Sequence, residues 1–122
     1  MPEELEPGIS LQRDVVVTAD MSPAHLAPTV VLSTPKMIEL MEMAATESVQ
    51  GHLGEERTSV GTHVDVSHES AAREGEVVTV SAELVEIDRR LLTFEVSVNV
   101  GDRVIGRGTH QRFVIDRDRF GD

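Results

Sequence analysis

At 122 residues, 39% of them hydrophobic and with no run near the ~20 apolar residues of a membrane span, the chain fits one domain, 1–122, able to bury a core of its own. It has no cysteine, which excludes disulfides, thiolate nucleophiles and cysteine-held metals, and its formal charge of −11 argues against nucleic acid and anionic membranes, which are bound through clustered Lys and Arg. The acidic opening MPEELEPG is unlike a signal peptide, so a cytoplasmic protein is expected.

Residues 1–7 and the loop around Ser22–Thr29, with Pro23 and Pro28, are the expected loose segments; between them residues 10–18 (SLQRDVVVT) read as a first strand. Ser33-Thr34-Pro35 has the form of a helix start: a hydroxyl accepts from free amides of the first turn, and Pro35 has no N–H to leave unpaired. Gly51 and Gly54 supply the stop, giving a helix of about 17 residues. Within it Met37, Met41 and Met43 read as core filler.

Beyond the helix the period changes from 3.6 to 2. In TSVGTHVDVSHES the alternation puts Val60, Thr62, Val64, Val66 and His68 on one face and Ser59, Gly61, His63, Asp65 and Ser67 on the other. A strand over 76–88 follows, with Val78, Val80, Ala82 and Leu84 inward, and Arg89-Arg90 turns it into 91–100, with Leu92, Phe94, Val96, Val98 and Val100 inward. Gly101-Asp102 leads to a last strand over 103–115, where Gly106 and Gly108 predict a bulge or a close approach of another backbone or ligand. The order is strand, helix, then four strands joined by short turns, which makes neighbours antiparallel. The fold class is α+β, a curled five-stranded sheet wrapped around the helix, and its open edges predict a dimer paired edge to edge.

Glu42 is the wrong residue for the apolar face it shares with Ile38, Ala45 and Val49: a lone carboxylate there is costly to desolvate unless a cation compensates. The plainer reading is that it pairs with an arginine or points to the rim. His68 continues the face of Val64 and Val66 toward the helix, as a general base or as a satisfied strand-end histidine, and Thr34 is a capping hydroxyl by default. Together they are the parts of an activated nucleophile or water. His63, Asp65 and His68 do not share a face, so no metal site is expected. His25, His52 and His110 have no partner by spacing. Arg103, Arg107, Arg112, Arg117 and Arg119 either balance acidic neighbours or hold one small anion such as a nucleotide phosphate.

Leu40-Met41-Glu42-Met43-Ala44, Ser59-Val60-Gly61-Thr62 leading to His68, and Gly106-Arg107-Gly108-Thr109-His110-Gln111-Arg112 together resemble the fluoroacetyl-CoA thioesterase branch of the hotdog-fold thioesterases, over about residues 8 to 120. The resemblance implies a hotdog fold and hydrolysis of an acyl-CoA or acyl-carrier thioester at the interface of a homodimer or higher assembly, with no cofactor beyond the CoA thioester itself. The family's threonine, glutamate and histidine fall on Thr34, Glu42 and His68, its oxyanion glycine on Gly61, and an arginine near its site on Arg112. By this resemblance His68 is the general base, Thr34 the hydroxyl it activates or that orients water, and Glu42 the nucleophile or water-activating carboxylate. Pro35 replaces a family glycine. In the fluoroacetyl enzyme the segment before the helix is longer and carries lid phenylalanines; here Ala27-Pro28-Thr29-Val30-Val31-Leu32 has none, which points to a different acyl group. Two other functions remain open: a non-catalytic acyl-thioester or small-ligand binding protein, and a hotdog dehydratase or hydratase, whose carboxylate and histidine are normally placed differently.

Overall fold

The computed structural model describes residues 5–119, so residues 1–4 of the expected loose N-terminus and Phe120 lie outside the described residues. In chain order stand β1 (Ser10–Val16), α1 (Thr34–Gln50), β2 (Arg57–His68), β3 (Val77–Asp88), β4 (Leu91–Val100) and β5 (Arg103–Asp116). Two short 3-10 turns, Ala19–Met21 and Ala24–Leu26, lie between β1 and α1. Leu5 is buried in the core and the Gly8 amide donates to the Leu84 carbonyl, so the part of 1–7 that is described is docked rather than loose.

At the helix start Ser33, not Thr34, is the cap: its side chain accepts from the Lys36 amide at 3.1 Å, and Pro35 stands in the first turn. This frees the Thr34 hydroxyl for another partner. Met37, Leu40, Met41, Ala44, Ala45, Ser48 and Val49 form the buried face of α1, while Met43, expected as core filler, is 48% exposed.

The five strands form one antiparallel sheet in the order β1-β3-β4-β5-β2. Short turns join β3 to β4 and β4 to β5; at the second, Gly101 takes a φ of 56°, which a residue without Cβ adopts at little cost. The expected short turn between β2 and β3 is absent. Instead β2 pairs with β5, and residues 69–76 carry the chain across to β3 beside the segment before the helix: the Leu32 amide donates to the Ala72 carbonyl and the Gly75 amide to that of Val17. Residues 69–76 are too many for a tight hairpin: the Glu69 and Ser70 amides donate to the Ile105 carbonyl of β5, and Ala72, Glu74, Gly75 and Glu76 bond to the β1–α1 connection.

Val78, Val80, Ala82, Leu84, Leu92, Phe94, Val96 and Val98 meet the helix as the alternation predicts, all buried, with Val100 half-buried at the end of its row. Each large side chain removed from water contributes about 1.5–3 kcal/mol, so this inner surface against α1 supplies most of the driving force for folding. The two glycines of β5 mark close approaches. A Cβ on Gly106 would stand 2.4 Å from Met37 Sδ and 2.8 Å from the Ser67 carbonyl oxygen, and one on Gly108 would lie 2.1 Å from that of Asp65. β1 and β2 are the two edges of the sheet.

Candidate active site

The strand that carries Gly61 and His68 is not a uniform alternation. Gly61 pairs with Arg112 and His63 with Gln111, so Thr62 is an extra residue that β5 does not match. A bulge of this kind inverts the faces beyond it. The expectation that Ser59 and Gly61 face away from Val64, Val66 and His68 is therefore corrected: all of them lie on the helix side, and Val60 on the other. The cross-strand rungs of that inner face run Leu92–Arg112–Gly61, Phe94–His110–Val64, Val96–Gly108–Val66 and Val98–Gly106–His68.

At one end of this surface Thr34 Oγ1 and His68 Nδ1 share a hydrogen bond of 2.6 Å. With Nδ1 unprotonated the hydroxyl donates to it, which is how an imidazole activates a hydroxyl or the water bound to it. The helix start fixes the threonine, and the last residue of β2 fixes the histidine.

Farther along are Glu42, Gly61 and Arg112. Glu42 is not in the middle of the apolar face of α1 but at its rim, with a side chain 40% exposed, and its Oε2 lies 3.7 Å from Arg112 Nη1. Both parts of the plainer reading thus describe it. Gly61 leaves the room: a Cβ there would stand 3.0 Å from Glu42 Oε2 and 3.3 Å from Arg112 Nη1. Arg112 is buried and held by three neutral acceptors. Its Nε donates to Ser59 Oγ at 2.8 Å, its Nη2 to the Ser59 carbonyl at 2.9 Å, and its Nη1 to His110 Nε2 at 3.1 Å. Burial lowers the Arg112 pKa and the Glu42 carboxylate opposes that, so the cation looks toward one anionic partner.

Sequence reading missed Ser59 and His110. The usable signal was the two-residue alternation of β5, which puts His110 on the face of Arg112; that Ser59 and Arg112 are neighbours appears only once β2 is seen beside β5.

The five candidate residues fall into two groups within one chain, Thr34 with His68, and Glu42 with Gly61 and Arg112. Glu42 stands eight positions after Thr34 on the helix, about 12 Å of rise. A hollow of about 300 Å³ opens beside Glu42, bounded by Glu39, Met43, Thr46 and Arg112. A larger groove of about 710 Å³ lies on the outer face of the sheet between Ser81, Ser97, Glu95 and Arg107. It touches neither Glu42 nor the Thr34–His68 pair, so its size does not make it the site.

Four of the five C-terminal arginines are engaged with acidic neighbours or carbonyls: Arg103 with Glu76, Arg107 with Glu69, Arg112 with Glu42, and Arg117 with the Glu55 carbonyl. Charge balance thus accounts for most of that cluster. Among the described residues no three His, Asp or Glu side chains gather in a metal-holding group, and no helix is long and apolar enough to cross a membrane.

Comparison with known proteins identifies the fold and the family. The curated fluoroacetyl-CoA thioesterase of Streptantibioticus cattleyicolor is 34% identical over 128 residues, covering 98% of this chain and 92% of that protein. A solved structure of the fluoroacetyl-CoA thioesterase FlK superposes with a TM-score of 0.88 at 33% identity, over 97% of this chain and 93% of that one. A mutant of that enzyme in complex with fluoroacetate and CoA gives 0.86 at 34%, over 95% and 99%. A Thermus thermophilus protein described as a thioesterase superfamily member shares the fold at 23% identity, with a TM-score of 0.86 over 96% of this chain and 88% of that one. The curled sheet around one helix is the expected hotdog fold. Because the family model for the fluoroacetyl-CoA-specific thioesterase, FlK, matches residues 12–118, and a curated relative is 34% identical over nearly the whole chain, this protein belongs to the fluoroacetyl-CoA-specific thioesterase family.

Proposed function

We propose that this protein is a thioester hydrolase acting on small or medium acyl-CoA thioesters, at a site completed when two copies pair along β2. The observation that carries the reading is the 2.6 Å bond between Thr34 and His68 at one end of the inner surface, with a carboxylate, a glycine and a buried arginine grouped at the other. Each group is half of a hydrolytic site. β2 is an edge strand whose middle, Gly61 to Asp65, is exposed, and Val64, Met43 and Phe113 are large apolar side chains exposed in the single chain. An antiparallel β2–β2 pairing about a twofold axis between Val64 and Asp65 places Gly61 opposite His68 of the partner subunit. Glu42 then faces the partner's Thr34 and the partner's His68.

In that composite site the thioester carbonyl oxygen takes the Gly61 N–H, with the positive start of the partner's helix nearby, so the developing oxyanion meets fixed donors. Water adds to the carbonyl carbon, the carbon–sulfur bond breaks, and the leaving thiolate takes the proton that the histidine removed. Glu42 either attacks the carbon first, forming an anhydride that water opens, or draws the proton from the attacking water. Both routes need its carboxylate next to Gly61. The acyl group differs from fluoroacetyl by the same reasoning as before: residues 27–32 carry no aromatic lid.

Free-thiol release from a panel of short and medium acyl-CoAs tests the function. Turnover of at least one ester, lost in His68→Ala, is expected. No turnover on any member, with calorimetric binding of the same esters, would instead establish a non-catalytic binding protein.

A further inference from the structure

One buried titratable residue has no part in that chemistry. His110 is 1% exposed, and its two ring nitrogens have opposite duties. Nδ1 lies 2.8 Å from the His63 carbonyl oxygen, which only accepts, so Nδ1 carries the proton. Nε2 lies 3.1 Å from Arg112 Nη1, which only donates, so Nε2 must present its lone pair. The imidazole is therefore neutral and in one tautomer, clamped between β2 and a cation, with the Phe94 ring centroid 6.4 Å away. A proton on Nε2 would set N–H against N–H and a second positive charge against the guanidinium.

We propose that His110 is a positioning residue: its Nε2 lone pair, together with Ser59, aims the buried Arg112 guanidinium at Glu42, and protonation of His110 releases that guanidinium and lets the carboxylate move from its place beside Gly61. The proposal rests on the thioesterase reading for its catalytic consequence and on geometry alone for the positioning. Three acceptors hold Arg112, and two of them belong to Ser59, at the Nε and Nη2 corners of the fork. His110 alone fixes the Nη1 corner, the nitrogen nearest Glu42. The charged and titratable groups facing the ring are Arg112 on its own strand, Glu42 from α1 and His63 from β2. Burial, the largest influence, and the Arg112 charge both favour the neutral ring, against the hydrogen bond to the His63 carbonyl and the Glu42 charge, and the net pKa is below the ordinary 6.5.

Nitrogen-resolved NMR of the whole protein, read beside steady-state kinetics, tests it. At neutral pH His110 should show the Nδ1–H tautomer, and Arg112 a slowly exchanging Nη1–H signal, from the hydrogen bond to His110 Nε2, that disappears on acidification with the midpoint of His110 protonation. His110→Ala should lose that signal and lower kcat about 100-fold with little change in KM, the effect of displacing one reacting group by about 1 Å. His110→Gln, whose amide oxygen can accept from Nη1, should restore most of kcat and abolish the acid limb set by His110. A charged His110 at neutral pH, or an Arg112 signal that survives His110 protonation, overturns the proposal, and the titration needs only the wild-type chain if His110→Ala does not fold. If no thioester is turned over, the functional reading fails, while the spectra still decide the positioning.

Discussion

Mixing two inactive variants distinguishes a site built within one chain from a site shared between two. Glu42→Ala empties the cluster beside Gly61 and Arg112, and His68→Ala removes the imidazole bonded to Thr34. Thr34 and Glu42 are about 12 Å apart along α1, beyond hydrogen-bond reach, so the proposed composite site pairs the Glu42 of one chain with the His68 of the other. In a mixed dimer one site takes the intact histidine of the first variant and the intact glutamate of the second, while the other site lacks both. Random re-association makes half of the dimers mixed, each with one whole site of two, so about a quarter of wild-type activity should return from two inactive proteins. The assay is thiol release after the variants are unfolded together and refolded, with the dimer confirmed by light scattering. A mixture no more active than its separate components, or a chain that is monomeric while it turns over, refutes the composite site.

Two further outcomes are expected. Gly61→Ala puts a methyl group 3.0 Å from Glu42 Oε2 and 3.3 Å from Arg112 Nη1, so turnover should fall at least about tenfold while circular dichroism and melting temperature stay near wild type; full activity would remove Gly61 from the site. For stability, the sign follows from the lowered pKa of His110: the unfolded chain binds more protons than the native one below the ordinary 6.5, so the contribution is complete above that pH and lost as pH falls toward the native value. Unfolding free energies from urea titrations should therefore decline as pH falls below 6.5, by up to about 1.4 kcal/mol per pH unit, and decline less in His110→Gln. Glu69 and Glu76, held below their ordinary 4.5 first by the Ser67 side-chain hydrogen bond and by the Arg73 backbone hydrogen bond, act only at lower pH. Equal pH slopes in the two proteins would show that His110 is not the group that titrates.

Local chemistry determined much of this protein. Ser33 and Pro35 can start a helix wherever the chain places them, period-2 alternation over 91–100 dictates which side of β4 is apolar, and Gly101 permits a turn at positive φ; none of this needs a distant neighbour. Thr34, Glu42, Gly61, His68 and Arg112 came together as a candidate set only through the family resemblance. Tertiary structure decided how that set is arranged. One unmatched residue, Thr62, inverts the faces of β2, and a bulge leaves no mark on the alternation that a reader could count. Whether β2 lies beside β3 or β5 is fixed by where residues 69–76 find main-chain partners, and only the second choice brings Ser59 and Gly61 to Arg112 and His110. Glu42, an anomaly on a helical wheel, became a rim carboxylate facing a buried cation, because burial on a helix depends on how far the sheet curls around it. Side-chain period is a property of a segment, whereas register and cross-strand contact are properties of pairs, and the hydrogen bonds at the site belong to pairs.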